Sequence, residues 1–183
     1  MSHIFDPKKF KKLDDPKRKE LMPIDKVSDF LCIDSDTLIA DVGCGVGYFS
    51  IPFSNIAREV YAVDISEIMI NELKIRVSQE NIRILLGDFS SFLDEDSLDI
   101  FFTSTVIHEL DDLSDFTNNA YKCVKKGGYI AYLDFMKKEM PFGPDYDKRV
   151  SSDDLMSLFK SMGMTDIEMI TLSETYYLVK GKK

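Results

Sequence analysis

Short apolar runs alternate along this chain with longer stretches in which hydrophobic residues recur every three or four positions. The runs TLIADV, EVYAVD, NIRILLG, LDIFFTST, GYIAYLDF, TDIEMITL and TYYLVKG are rich in β-branched and aromatic residues and have the length of strands. Between them, Ser66 precedes EIMINELKIRV, where Ile68, Met69, Ile70, Leu73 and Val77 form a helical apolar face and Glu67 suits the positive helix start. DDLSDFTNNAYKCV spaces Leu113, Phe116, Ala120 and Val124 for a second helix, with KKGG expected at its C-terminal end. SSDDLMSLFKSMG has a serine cap, an acidic first turn and a closing Gly163. Strands separated by helices of this length predict an α/β protein, a doubly wound, mostly parallel sheet with helices on both faces. The last two runs lie too close for a crossover helix, so the seven-stranded sheet should finish in an antiparallel hairpin, its last strand reversed.

Ahead of the first strand, DDPKRKELMPIDKVSDFLCI reads as two short helices broken at Pro23. Residues 1–35 are therefore expected to form an N-terminal helical cap, either a lid over a ligand crevice or a cover for one sheet face, and residues 36–183 the ligand-binding domain.

Composition and charge narrow the function. The 183 residues suffice for one disulfide-free core. A formal charge of −9 repels nucleic acid and anionic membranes, so no nucleic-acid partner is expected. No apolar stretch could span a bilayer and the N-terminus is too charged for a secretory signal, which leads to the expectation of a cytoplasmic protein, monomeric or homodimeric. Cys32, Cys44 and Cys123 are too few and too scattered for a disulfide framework, and with His3 and His108 they suggest no metal site. The basic segments PKKFKK and VKGKK suit either a solvated face or a flap over an anionic substrate.

The chemistry gathers around DVGCGVGYF, Asp41 to Phe49. A strand entering glycines and then a helix lets a ligand approach the backbone, here at Gly43, Gly45 and Gly47, with YFSIPFSNIA as the helix and Pro52 near its first turn. The dinucleotide pattern requires glycine where Tyr48 stands, and a phosphate loop requires a Gly-Lys-Ser/Thr ending that is absent. Asp64 closes the second strand about twenty residues on, where a carboxylate meets ribose hydroxyls in folds of this topology. Asp88, ending the third strand, could accept from an exocyclic amine. Three acids near one crevice suit a ligand with an ammonium, a sulfonium and an amine better than one with phosphates.

DVGCGVGYF, VYAVDIS and LLGDF together resemble the motif set of class I S-adenosylmethionine-dependent methyltransferases, in particular the ubiquinone/menaquinone-methyltransferase-like (type 11) group, over about Leu38 to Val179. That resemblance implies a Rossmann-like fold, S-adenosyl-L-methionine as cofactor and S-adenosyl-L-homocysteine as product. It implies that Asp41, Gly43, Cys44, Gly45, Gly47 and Tyr48 surround the methionine part and Asp64 the ribose. Ile65 and Met69 would pack on adenine, with Asp88 at its amine and Phe89 beside it. Ile65 and Met69 could equally be core residues and Asp88 a turn residue.

Methyl transfer from a sulfonium needs alignment, and a base only when the acceptor must lose a proton. The end of the fourth strand, FFTSTVIHELDD, offers Thr103, Ser104 and Thr105 to the methionine end. His108 follows as a base or acceptor-binding group, or else as a structural residue; Glu109 reads as an exposed acid, and Asp111 and Asp112 as caps. Tyr48, Phe135, Phe5, Phe10 and Phe142 could line the acceptor pocket, while Arg149 would pair with Asp147 or with an acidic acceptor. A small-molecule acceptor is favoured, since there is no appended recognition domain and no NPPY-type segment; arsenic methylation would need more cysteines. Competing readings are a nicotinamide-dependent oxidoreductase and a non-catalytic S-adenosylmethionine-binding module.

Overall fold

The structure is a computed structural model that describes residues 17–183. His3, Phe5, Phe10 and PKKFKK lie outside the described residues. Helices α1 (Lys17–Leu21) and α2 (Ile24–Leu31) flank Pro23. Then follow β1 (Leu38–Val42), α3 (Ser50–Ser54), β2 (Glu59–Asp64), α4 (Glu67–Arg76), β3 (Ile82–Leu86), β4 (Leu98–Ser104), α5 (Leu113–Cys123), β5 (Val124–Phe135), α6 (Ser152–Ser161), β6 (Thr165–Thr171) and β7 (Tyr176–Lys182). The seven strands form one sheet in the order β3-β2-β1-β4-β5-β7-β6, parallel except that β7 runs antiparallel to both β5 and β6. The last strand is reversed as expected. It is also interior, and β6 takes the edge; YYLV in β7 is buried on both faces, while β6 is mostly exposed.

The period-2 alternation of the strands divides the core. Ile39, Ala131 and Leu133 pack with Leu31, Phe53 and Leu73 from α2, α3 and α4. Leu38, Ala40, Ile130 and Tyr132 face the other way, toward Ala120, Leu155 and Phe159 from α5 and α6. Side-chain caps start the helices: Ser66 for α4, Asp112 for α5 and Ser151 for α6 each accept from an amide of the first turn.

Three local expectations are corrected. Ile68 is 42% exposed, because the buried face of α4 is narrower than its apolar spacing suggests and consists of Met69, Ile70 and Leu73. KKGG does not close α5; β5 begins at Val124, and residues 125–128 bulge where Leu98↔Val124 gives way to Ile100↔Tyr129. The glycines are needed there, since Gly127 has φ +87° and a Cβ on Gly128 would lie 2.6 Å from the Asp99 carbonyl. The C-terminal lysines form no flap: Lys180, Lys182 and Lys183 pair with Glu168, Asp166 and Asp96.

Gly47 serves the packing of α4 beneath the loop after β1. It has φ +89°, and a Cβ there would sit 2.4 Å from Leu73 Cδ1. Gly47→Ala should therefore destabilise the fold by about 1–3 kcal/mol through backbone strain and overpacking, read as a lower midpoint in chemical denaturation.

Candidate active site

Connections from β1 and β4 leave in opposite directions, which opens a crevice beyond the C-terminal ends of these strands. A cavity of about 1470 Å³ lies there. Sites that hold one small ligand run to roughly 300–1,000 Å³, so this one has room for two.

The loop after β1 forms one wall. Gly43 and Gly45 take φ of +75° and +54°, and a Cβ on Gly43 would collide with Val106. Four of the loop's amides are engaged within the protein. Gly43 and Cys44 both donate to the Val63 carbonyl at 2.8 and 3.1 Å, Gly45 to Asp64 Oδ2 at 2.8 Å, and Gly47 to the Cys44 carbonyl at 3.0 Å. Phosphate cradles depend on amides aimed at the ligand, and here they are already engaged.

Acids stand beside them. Asp41 is buried at the end of β1 and accepts from Ser50 Oγ at 2.5 Å. Burial pushes its carboxyl up to about 6; the Ser50 hydrogen bond opposes this, the Asp64 charge adds to it, and the Arg18 guanidinium pulls it back. Asp64 Oδ1 accepts from Ser66 N–H at 2.8 Å, so the carboxylate is fixed by an amide on each oxygen, while partial burial raises its pKa. Asp88 is exposed at the rim and caps the turn Phe89–Ser91 through Oδ1. Ile65, 63% exposed, lines the cavity near buried Met69 and Phe89. Cys44 lines it too, with burial raising the thiol pKa.

Two expected residues do not reach the cavity. Gly47 packs against α4, and Thr103 is fully buried with its hydroxyl donated to the Val42 carbonyl at 2.7 Å. The neighbouring Ser104 does line it, and its Oγ is buried without a hydrogen-bond partner among the described residues. Thr105 follows at φ +57°, an uncommon conformation for a β-branched residue that costs on the order of 1–3 kcal/mol and that clusters at functional sites.

His108 lies on the turn Ile107–Glu109 and lines the cavity with a side chain 10% exposed. Its Nδ1 is 2.8 Å from Asp134 Oδ1 at the end of β5, and its Nε2 is 3.8 Å from Glu109 Oε1. Glu109 is half-buried rather than exposed. Asp134 was not foreshadowed by any motif; the one local sign is an acid ending the apolar strand run YIAYLDF beside the crevice. Tyr48 donates its hydroxyl to the Met22 carbonyl at 2.9 Å, and Arg18 of α1 stacks 4.3 Å from its ring centroid. Phe135, Tyr176 and the loop residue Phe142 complete the far wall. Arg149 pairs neither with Asp147 nor with the cavity: it is buried, and its guanidinium donates to the carbonyls of Met136, Lys138, Phe142 and Pro144, tying that loop in place.

A family model described as a methyltransferase domain matches residues 40–132. A Mycobacterium tuberculosis protein named as a probable S-adenosylmethionine-dependent methyltransferase is 24% identical over 141 residues, 73% of this chain and 51% of that protein. A malonyl-[acyl-carrier protein] O-methyltransferase of Serratia marcescens is 30% identical over 95 residues, 51% of this chain and 36% of its own length. The chain thus spans about half the length of the first of these curated relatives and about a third of the second. The crystal structure of a SAM-dependent methyltransferase from Aquifex aeolicus superposes with a TM-score of 0.88 at 26% identity, covering 97% of this chain and 98% of that one. With half of its residues matched by the family model, the chain belongs to the methyltransferase-domain family, the class I S-adenosylmethionine-dependent methyltransferases of type 11.

Proposed function

We propose that this chain binds S-adenosylmethionine in the crevice between β1 and β4 and transfers its methyl group to a small-molecule acceptor held in the remaining space. One observation carries the reading: the loop after β1 turns its amides away from the cavity and leaves carboxylates at the wall, Asp41 and Asp64. Such a wall attracts a cation, and with the amides of Gly43, Cys44, Gly45 and Gly47 engaged it lacks the cradle of donors that a pyrophosphate needs, which counts against a nicotinamide dinucleotide.

The residues fit the cofactor part by part. Asp41 meets the ammonium, and the unpartnered Ser104 hydroxyl supplies a further polar contact at the methionine end. Asp64, each oxygen oriented by an amide, keeps lone pairs for the ribose hydroxyls. Ile65, Met69 and Phe89 give an apolar slot for adenine, with Asp88 at its amine. When bound, the cofactor supplies a methyl group on a sulfonium. The protein's part is to align an acceptor with it and to exclude water. The described part of the expected N-terminal cap, from Lys17 on, covers the crevice: Lys17, Arg18, Leu21 and Met22 line the cavity, and the Tyr48 hydroxyl fastens this segment to the glycine loop.

A small acceptor is supported by the cavity's size and by the charge of −9. Among the described residues no helix is long and apolar enough to cross a membrane.

Asp64→Asn, which keeps one acceptor oxygen for the loop, should weaken S-adenosylhomocysteine binding at least tenfold by calorimetry, since a charge-assisted contact is worth about 1.5–3 kcal/mol; wild-type affinity would remove Asp64 from the ribose. Asp41 gives a pH signature. Its raised pKa means that its protonated form stabilises the fold at low pH and that this contribution is lost as pH rises through about 6. A cationic ligand favours the ionised form, so binding should release a proton near that pH, and affinity should fall about tenfold between pH 7 and pH 5. Asp41→Asn should flatten that dependence.

A further inference from the structure

Asp134 is wholly buried, yet its Oδ2 has no hydrogen-bond partner among the described residues, and a buried carboxylate oxygen left bare is costly unless the site uses its charge. Its other oxygen, Oδ1, accepts from the Phe135 amide at 2.7 Å and faces His108 Nδ1 at 2.8 Å. An Oδ1 that already accepts the Phe135 amide faces Nδ1 as an acceptor, which makes Nδ1 the protonated ring nitrogen. Nε2 therefore carries the lone pair. Among the described residues it has no short partner, the nearest acid being Glu109 at 3.8 Å, and the imidazole lines the cavity.

We propose that Asp134 is a positioning residue that fixes His108 as a base with Nε2 open to the cavity, and that the acceptor is accordingly an apolar phenol or enol. This rests on the methyltransferase reading above and extends it to the acceptor. A carboxylate acceptor arrives without the proton and gives such a base nothing to do. A hydroxyl on a planar apolar body suits the wall beside His108, where the Phe135 ring lies edge-on at 5.5 Å and Tyr176 packs 4.7 Å from Phe135. In the step, the O–H proton passes to Nε2, the oxygen pair forms the O–CH3 bond, and the C–S bond breaks onto sulfur to give S-adenosylhomocysteine. Asp134 balances the imidazolium until water takes the proton.

The test has three parts. Calorimetry with S-adenosylhomocysteine comes first: if the wild type does not bind it, the methyltransferase reading itself fails, whereas binding leaves the dyad open to judgement. Nitrogen-15 NMR of the imidazoles follows, with His3→Gln to assign the two histidines of the chain. The Nδ1–H tautomer is expected for His108 in the wild type and in Asp134→Asn, which keeps the acceptor oxygen but not the charge; Asp134→Ala should shift it toward Nε2–H. A wild-type Nε2–H tautomer overturns the proposal. Finally, S-adenosylhomocysteine formation is measured against a panel of small phenols, enols and matched aromatic carboxylates. Phenols or enols should turn over, with His108→Gln at least about a hundredfold slower and Asp134→Asn at least about tenfold slower at unchanged cofactor affinity. Turnover confined to carboxylates, no turnover of any phenol or enol, or rates in both variants within twofold of wild type overturns it.

Discussion

The carbonyl of Val63 and the carboxylate of Asp64, adjacent at the end of β2, take three successive amides of the loop after β1: Gly43, Cys44 and Gly45. Everything at the cavity wall follows from that attachment. It sets the direction in which the loop turns, and only residues tolerant of positive φ can make the turn at Gly43 and Gly45. It brings Asp64 within electrostatic reach of Asp41, so that two carboxylates share one wall. Because the donors are engaged, the wall's character is that of an acceptor surface, and the chemistry of any ligand seated there is constrained before a side chain beyond the loop is considered.

That arrangement is held at some cost. An acid as buried as Asp41 is not stable as an isolated charge, and the Ser50 hydroxyl at the start of α3 and the Arg18 guanidinium from α1 both favour its ionised form. Residues from three elements, α1, β1 and α3, therefore converge on one carboxylate. A short helix such as α3 contributes little by itself; its place beside β1 is what supplies the hydroxyl.

The strands were legible because their signal is local: TLIADV and EVYAVD are strand-length apolar runs wherever they are read, and a reversed last strand follows from the short link between β6 and β7. Where β7 would insert was not legible, since pairing order depends on which neighbour buries YYLV and not on the residues joining the strands. At the site, Asp41, Gly43, Gly45, Asp64, Asp88, Ser104 and His108 do reach one cavity. Gly47 has the same local spacing as its fellow glycines, and only the approach of Leu73, a long-range contact, gives it a packing role. Thr103 and Ser104 are adjacent hydroxyls on opposite faces of β4, so the strand's period sends one to the Val42 carbonyl and the other to the cavity. Asp134 and Arg149 sit in stretches without a motif; each acts through partners brought in by the fold.

The interior position of β7 bears on the order in which the sheet can be built. Strand β6 pairs with β7 alone, so although β6 precedes β7 in the chain it joins the sheet only once β7 has docked on β5. Until then β5 presents an open edge, with Ala131, Leu133 and Tyr132 beside it awaiting cover. That edge is open to mispairing until β7 slots between two strands that precede it in the chain, so completion of the sheet waits on β7 rather than on the glycine loop.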